Sequence, residues 1–256
     1  MKKNSALLGT LLQRFFIEYL CTQKRVSPET VSSYRDTWRL LLQYVNEKHR
    51  IAPAALRVND LNASIILAFL DHLEEVRNNS VQSRNVRLAA IRAFFRLVAL
   101  DDPANVHLAS SIMAIPTKRT AQRLIHSLAR DEIDALLAAP DLAQQSGRRD
   151  HTLLLTLYNT GARASEIVSL KQTQISFGTC SFLYLHGKGR KERAIPLWAK
   201  TALALRTWLE EISHLHTDLV FPSAVGQKLT RNGLDYILQR ACSAHPALAL
   251  RCQTKP

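Results

Sequence analysis

The sequence predicts a mainly α-helical protein with one small β-hairpin, built as an all-helical first domain followed by a mixed α/β second domain. Three observations carry that expectation. Apolar residues recur at helical spacing through residues 1–100, the period changes to two over residues 182–197, and a proline-bearing break at 101–116 separates the two patterns.

The first helix follows from Leu8, Leu11, Leu12, Phe15, Phe16 and Tyr19. A second begins at Ser27-Pro28-Glu29, a capping residue followed by proline at a first helical position, and carries the stripe Val31, Tyr34, Trp38, Leu41, Leu42 and Val45. A third spans about 62–76 with Ile65, Ile66, Phe69, Leu70 and Leu73, and a fourth spans about 81–98. Short joints between them predict a compact bundle over residues 1–100. Residues 101–123 are expected to be a linker, because Pro103 and Pro116 bracket a stretch without periodicity, and 124–256 form the second domain. There the spacing predicts helices over 131–137 and 150–159, the latter ending at Gly161, which suits a left-handed cap. Phe182–Leu185 and Arg193–Leu197 are expected strands joined by His186-Gly187-Lys188-Gly189-Arg190, and helices return at 201–212 and 230–241.

The chain carries 34 Lys and Arg against 21 Asp and Glu, an excess of 13 that divides as 7 over residues 1–100 and 6 over the rest. A folded protein positive in both halves points to a polyanion, with nucleic acid the common one; charge kept for solubility alone is the alternative. Cys21, Cys180, Cys242 and Cys252 are too few and too scattered for a disulfide framework, and Cys242, His245 and Cys252 lack both a fourth ligand and the spacing of a zinc site. No metal or other cofactor is expected. Thr10, Gln13 and Arg14 interrupt the apolar start before it resembles a secretory signal, and no stretch approaches a membrane span, so the expected location is the cytoplasm.

Three segments carry candidate chemistry. The fourth helix places Asn85, Ala89, Arg92 and Arg96 on one face, a pattern that fits a phosphate backbone or a groove, although taken alone it better fits an ordinary solvated face. In Tyr158-Asn159-Thr160-Gly161-Ala162-Arg163-Ala164-Ser165-Glu166, a helix ends at glycine and an arginine opens the next helix. That geometry predicts a guanidinium beside unsatisfied backbone N–H groups, a seat for phosphate; the alternative is a surface arginine paired with Glu166 at i+3. Third, Lys188 sits at the tip of a glycine-flanked hairpin, from which an ammonium can reach a groove or donate a proton to a leaving oxygen; a basic β-turn is the alternative.

The pair Thr-Gly-Ala-Arg-Ala-Ser-Glu (160–166) and Gly-Lys-Gly-Arg-Lys-Glu-Arg-Ala-Ile-Pro-Leu (187–197) resembles the phage-integrase family of tyrosine recombinases. The upstream run from Ser83 to Phe95 is similar to that family's core-binding domain, and the resemblance extends from about Leu8 to the last residue. It implies a helical core-binding domain joined to a mixed α/β catalytic domain of tyrosine recombinase type, which together clamp double-stranded DNA at inverted-repeat recombination sites. It also implies a reaction in which a tyrosine forms a 3′-phosphotyrosyl link that a 5′-hydroxyl later reverses, without ATP or metal. Arg163 matches the first of the family's two arginines, Lys188 its general-acid lysine, and Glu166 a position supporting the arginine. Arg84, Asn85, Arg92, Arg96, Arg190 and Lys191 are the expected DNA contacts. DNA integration, a mobile element as the setting, and assembly with copies or related subunits on DNA are further implications.

The family's His-x-x-Arg box and the tyrosine after it are not found: His245 and Arg251 are six apart, Tyr158, Tyr184 and Tyr236 all come too early, and Tyr236 is expected to pack on its helix. The second domain is accordingly expected to be truncated and marginal, with apolar surface uncovered on the 201–241 helices, and the chain to be catalytically incomplete. The competing function is a non-catalytic protein occupying recombination sites. An unrelated helical DNA binder leaves the lysine hairpin unexplained.

Overall fold

A computed structural model describes residues 7–120, 127–187 and 192–244. The chain divides into two compact units, Met1–Leu124 and Ile125–Pro256, each with its own apolar core. Among the described residues, no helix is long and apolar enough to cross a membrane.

The first unit is helical throughout. Helix α1 (Leu8–Arg14) passes into a π-helical stretch over Phe15–Gln23, so the expected first helix changes pitch at Phe15. The Phe15 ring lies 5.8 Å from Tyr19, 6.3 Å from Tyr34 and 5.5 Å from Phe94, which ties this segment to two later helices. Helix α2 (Pro28–His49) starts as its sequence dictates: the Ser27 hydroxyl accepts the Thr30 N–H, and Pro28 occupies the first turn. Asn62 and Ser80 cap α3 (Ala63–Glu75) and α4 (Val81–Asp101) in the same way. Leu88, Ile91, Phe94, Phe95 and Val98 of α4 are buried against α2 and α3, with Phe94 against Trp38 at 4.6 Å. Truncating a ring so enclosed costs about 3–5 kcal/mol.

The interval expected to be a linker belongs in large part to this core. Asp102 accepts the Ala104 N–H and Pro103 opens a 3₁₀ turn, after which helix α5 (Val106–Met113) packs on α4 and buries Ala109 and Ile112, with Ile115 just beyond it. Asp-Pro is a helix-start signal as well as a break, and here it starts a helix.

The second unit begins with α6 (Arg130–Ala138) and α7 (Gln145–Thr160). A three-stranded antiparallel sheet follows, in the order β1 (Ile175–Ser176), β2 (Phe182–His186), β3 (Glu192–Pro196). The hairpin is the expected one, with Phe182 opposite Pro196 and His186 opposite Glu192. Strand β1 is an addition, two residues long and below the reach of any periodicity argument. Helices α9 (Ala199–Glu211) and α10 (Arg231–Ser243) complete the unit around Leu153, Leu154, Leu183, Leu205, Trp208, Phe221 and Ile237. The Trp208 indole N–H donates to the Val220 carbonyl at 2.7 Å, so this large side chain is buried with its polar atom satisfied.

Candidate active site

Helix α7 ends at Gly161, whose φ of 57° is left-handed and whose N–H donates to the Leu157 carbonyl. The turn leads through Ala162, whose N–H donates to the Thr160 hydroxyl, into the short helix α8 (Ala164–Ile167) with Arg163 at its N-cap. The site is built around Glu166. One carboxylate oxygen, Oε2, accepts the Arg163 backbone N–H at 2.7 Å and the Arg193 Nη2–H at 2.8 Å; the other accepts the Arg163 Nη1–H at 2.9 Å.

This arrangement corrects one expectation. The Arg163 backbone N–H is capped by Glu166 and is not free for a phosphate, so the anion-attracting element is the guanidinium itself. The i+3 pair weighed as an alternative is present, and it holds the guanidinium without covering it: the Arg163 side chain is 58% exposed and that of Glu166 only 6%. Nε and Nη2 of Arg163 have no partner among the described residues. Two cations on one carboxylate leave the cluster net positive. Burial alone would push the Glu166 carboxyl up, but the Arg163 backbone and side-chain hydrogen bonds and the nearby Arg193 and Arg163 charges outweigh it and hold the group below its ordinary value.

Arg193 was not singled out from sequence, although the signal was there. Strand alternation puts Arg193 and Ile195 on one face of β3 and Glu192, Ala194 and Pro196 on the other. Asn159 was also missed. Its amide donates to the Pro196 carbonyl at 3.4 Å and accepts the Trp198 N–H at 2.9 Å, joining the end of α7 to the end of β3. Lys188, Arg190 and Lys191 lie outside the described residues. So do His245 and Arg251.

The candidate contacts on α4 behave differently from expectation. Arg84 is 2% exposed: its Nη1 donates to the Pro116 carbonyl at 2.9 Å, and its Nε lies 3.4 Å from Glu74. It is a buried structural arginine and not a surface contact for DNA, because α3 and the 115–118 segment supply its acceptors. Asn85 donates to the Lys118 carbonyl at 2.8 Å and accepts the Lys118 N–H at 3.1 Å, and Arg92 donates to the Ile115 carbonyl. Burial first, then the Arg96 and Arg84 charges, pull Arg92 below its usual value. Of the four, Arg96 alone is classed as exposed. Tyr236 also departs from expectation. It is 64% exposed, since α10 turns Leu234, Ile237 and Ala241 inward and leaves Tyr236 on the outer face. Among the described residues, no group of three or more His, Cys, Asp or Glu side chains is placed to hold a metal ion.

Residues 126–247 match the phage integrase family and residues 13–100 the phage integrase N-terminal SAM-like domain. The putative integrase/recombinase y4rC of Sinorhizobium fredii is 45% identical over 235 residues, which is 92% of this chain and 71% of that protein. Tyrosine recombinase XerD of Listeria monocytogenes is 30% identical, covering 88% of this chain and 74% of its own length. Among solved structures, a lambda integrase dimer bound to a COC′ core site superposes with a TM-score of 0.65 at 19% identity, over 94% of this chain and 64% of that one. XerH bound to difH gives 0.62 at 20% identity, over 83% of this chain and 61% of the other. The chain thus spans less than two thirds of either solved relative. It belongs to the phage integrase family of tyrosine recombinases.

Proposed function

We propose that this chain binds double-stranded DNA at inverted-repeat recombination sites, with Arg163 seating the scissile phosphate and Lys188 serving as acid to the leaving 5′-oxygen. The observation that carries this reading is the exposed Arg163 guanidinium, fixed from behind by a buried carboxylate that a second arginine helps to neutralise. A guanidinium held in that way offers directed, charge-assisted donors to a phosphate. It is suited to the charge that builds on a five-coordinate phosphorus. Tyrosine attack would give a 3′-phosphotyrosyl link and expel the 5′-oxygen, which takes its proton from Lys188; strand exchange for integration within a mobile element is the setting proposed. Arg96, Arg190 and Lys191 are the remaining proposed backbone contacts. Assembly on DNA with further copies or related subunits accords with the dimeric lambda integrase on its core site.

The 256 residues contain no His-x-x-Arg spacing and so no tyrosine placed after such a box. A polypeptide of these residues alone is therefore expected to bind without cutting, since removal of even one transition-state donor costs on the order of 10²–10³ in rate and groups acting as a unit fail together. The test uses a nicked duplex that traps a cleaved strand on the protein. Salt-sensitive binding with no covalent product is the expected result. A covalent protein–DNA band would show that a nucleophile lies within these residues, and salt-independent or absent binding would sink the DNA reading altogether.

A further inference from the structure

Strand β3 meets the arginine turn at two places. Asn159, at the end of α7, takes the Trp198 N–H and donates to the Pro196 carbonyl, and Glu166 of α8 takes a hydrogen bond from Arg193. The second contact is the consequential one. Oε2 of Glu166 accepts from both the Arg163 backbone and Arg193 Nη2, at 2.7 and 2.8 Å, while Oε1 is left to hold Arg163 Nη1. A carboxylate held only by Arg163, through its backbone at Oε2 and its mobile side chain at Oε1, can still swing about its terminal torsion, which is broad and roughly two-fold. One gripped at Oε2 from two directions presents Oε1 in a single orientation, and the orientation of Oε1 sets that of the Arg163 guanidinium.

We propose that Arg193 is a positioning residue: through Glu166 it fixes the Arg163 guanidinium in the pose that receives a DNA phosphate, without itself touching the DNA. The inference rests on the proposed role of Arg163 as a phosphate seat. Arg193 is well placed for this task and poorly placed for direct contact. Its side chain is 37% exposed, its Nη2 is engaged by Glu166, and its Nε is buried without a hydrogen-bond partner among the described residues. The carboxylate between the two arginines also needs both of them. With Arg193 gone, the buried Glu166 would keep one cation, and Arg163 would be drawn further inward to serve it at the expense of a ligand outside.

A double-mutant cycle tests the idea, using the full chain and a short fluorescein-labelled duplex of mixed sequence as probe. Arg193→Met should weaken binding on the order of tenfold, comparable to the loss of one charge-assisted contact, and Arg193→Lys should recover most of that loss because an ammonium can still reach Oε2. In an Arg163→Ala background, Arg193→Met should change affinity little. A melt of each variant keeps loss of fold apart from loss of pose, and Arg193→Lys serves as the working comparison if Arg193→Met does not fold. If Arg193→Met lowers affinity by the same factor with and without Arg163, Arg193 contacts DNA directly and the positioning role is overturned. If Arg163→Ala weakens binding but Arg193→Met does not, the positioning role fails while the phosphate seat stands. If Arg163→Ala itself leaves binding unchanged, the phosphate seat fails, and the positioning role with it.

Discussion

Helix α4 in the first unit and the α7–α8 turn in the second both display arginines, and they use them in opposite ways. On α4, Arg84 and Arg92 point to main-chain carbonyls of residues 115–116, and Arg87 donates to the Ser33 carbonyl and the Thr37 hydroxyl of α2. These guanidiniums are internal donors: Arg84 and Arg92 satisfy backbone just past the end of α5, and Arg87 ties α4 to α2. At the turn, Arg163 has a carboxylate behind it, and its side chain is mostly exposed among the described residues. The difference lies in how many inward partners each arginine meets. Arg84 is drawn inward by the Pro116 and Asn85 oxygens and by the Glu74 carboxylate 3.4 Å away, whereas Arg163 meets one carboxylate and keeps its side chain 58% exposed. Charge pattern along a helix does not separate the two situations; the set of inward partners does.

The sharpest way to break the comparison is to remove one arginine of each kind. Arg84→Met leaves the Pro116 carbonyl short of a buried donor and the Glu74 carboxylate short of a nearby cation, and should destabilise the first unit by about 3 kcal/mol, read from urea unfolding followed by a probe in that unit. Arg163→Met leaves the buried Glu166 carboxylate the main-chain N–H of residue 163 and Arg193, and should cost the second unit less, about 1 kcal/mol. Equal losses at the two positions would erase the distinction between internal and outward arginines. Asn85 sharpens it at smaller cost. It makes two hydrogen bonds to the main chain of Lys118, one to its carbonyl and one from its N–H, so Asn85→Ala should cost the first unit about 1–2 kcal/mol and speed amide exchange at Lys118. An unchanged exchange rate there would show that Asn85 does not hold the segment.

The smallest effect is a pH dependence confined to the second unit. The folded Glu166 carboxyl lies below its ordinary value, so its contribution to stability is fully present above the unfolded carboxyl's range and is lost as pH falls through the depressed folded value. Glu166→Gln should flatten that acid-side slope in the second unit and leave the first unit's acid response as it was. An identical slope in the variant would mean that Glu166 is not held ionised by its two arginines.

Much of the architecture was legible because it rests on local rules. Ser27, Asn62 and Ser80 cap helices that their own spacing announced, Gly161 takes the left-handed turn, and the alternation over 182–186 and 192–196 forms the hairpin. The pairing of Arg163 with Glu166 was legible as well, being an i+3 contact in one segment. What was hidden depends on partners distant in sequence. Arg84 meets Pro116 and Glu74, Arg193 meets Glu166, and Asn159 meets Trp198 across intervals that no periodicity spans. The helix at Val106–Met113 was hidden for another reason: Pro103 signals a break and a start with the same residue. Tyr236 shows the limit of amphipathic reasoning, since its neighbours' burial says only that one face is inward, and the tyrosine stands on the other.

In its proposed role Arg163 meets phosphate from outside while Arg84 does not, and the salt dependence of duplex binding measures this directly. For the unaltered chain, the logarithm of the binding constant should fall linearly with the logarithm of salt concentration. In Arg163→Ala the slope should be shallower by about one, the signature of a single lost phosphate contact. In Asn85→Ala, which loosens the segment held by the inward side chains, the slope should stay unchanged. A slope unaltered by the loss of Arg163 would contradict the assignment of the α7–α8 turn as the phosphate seat.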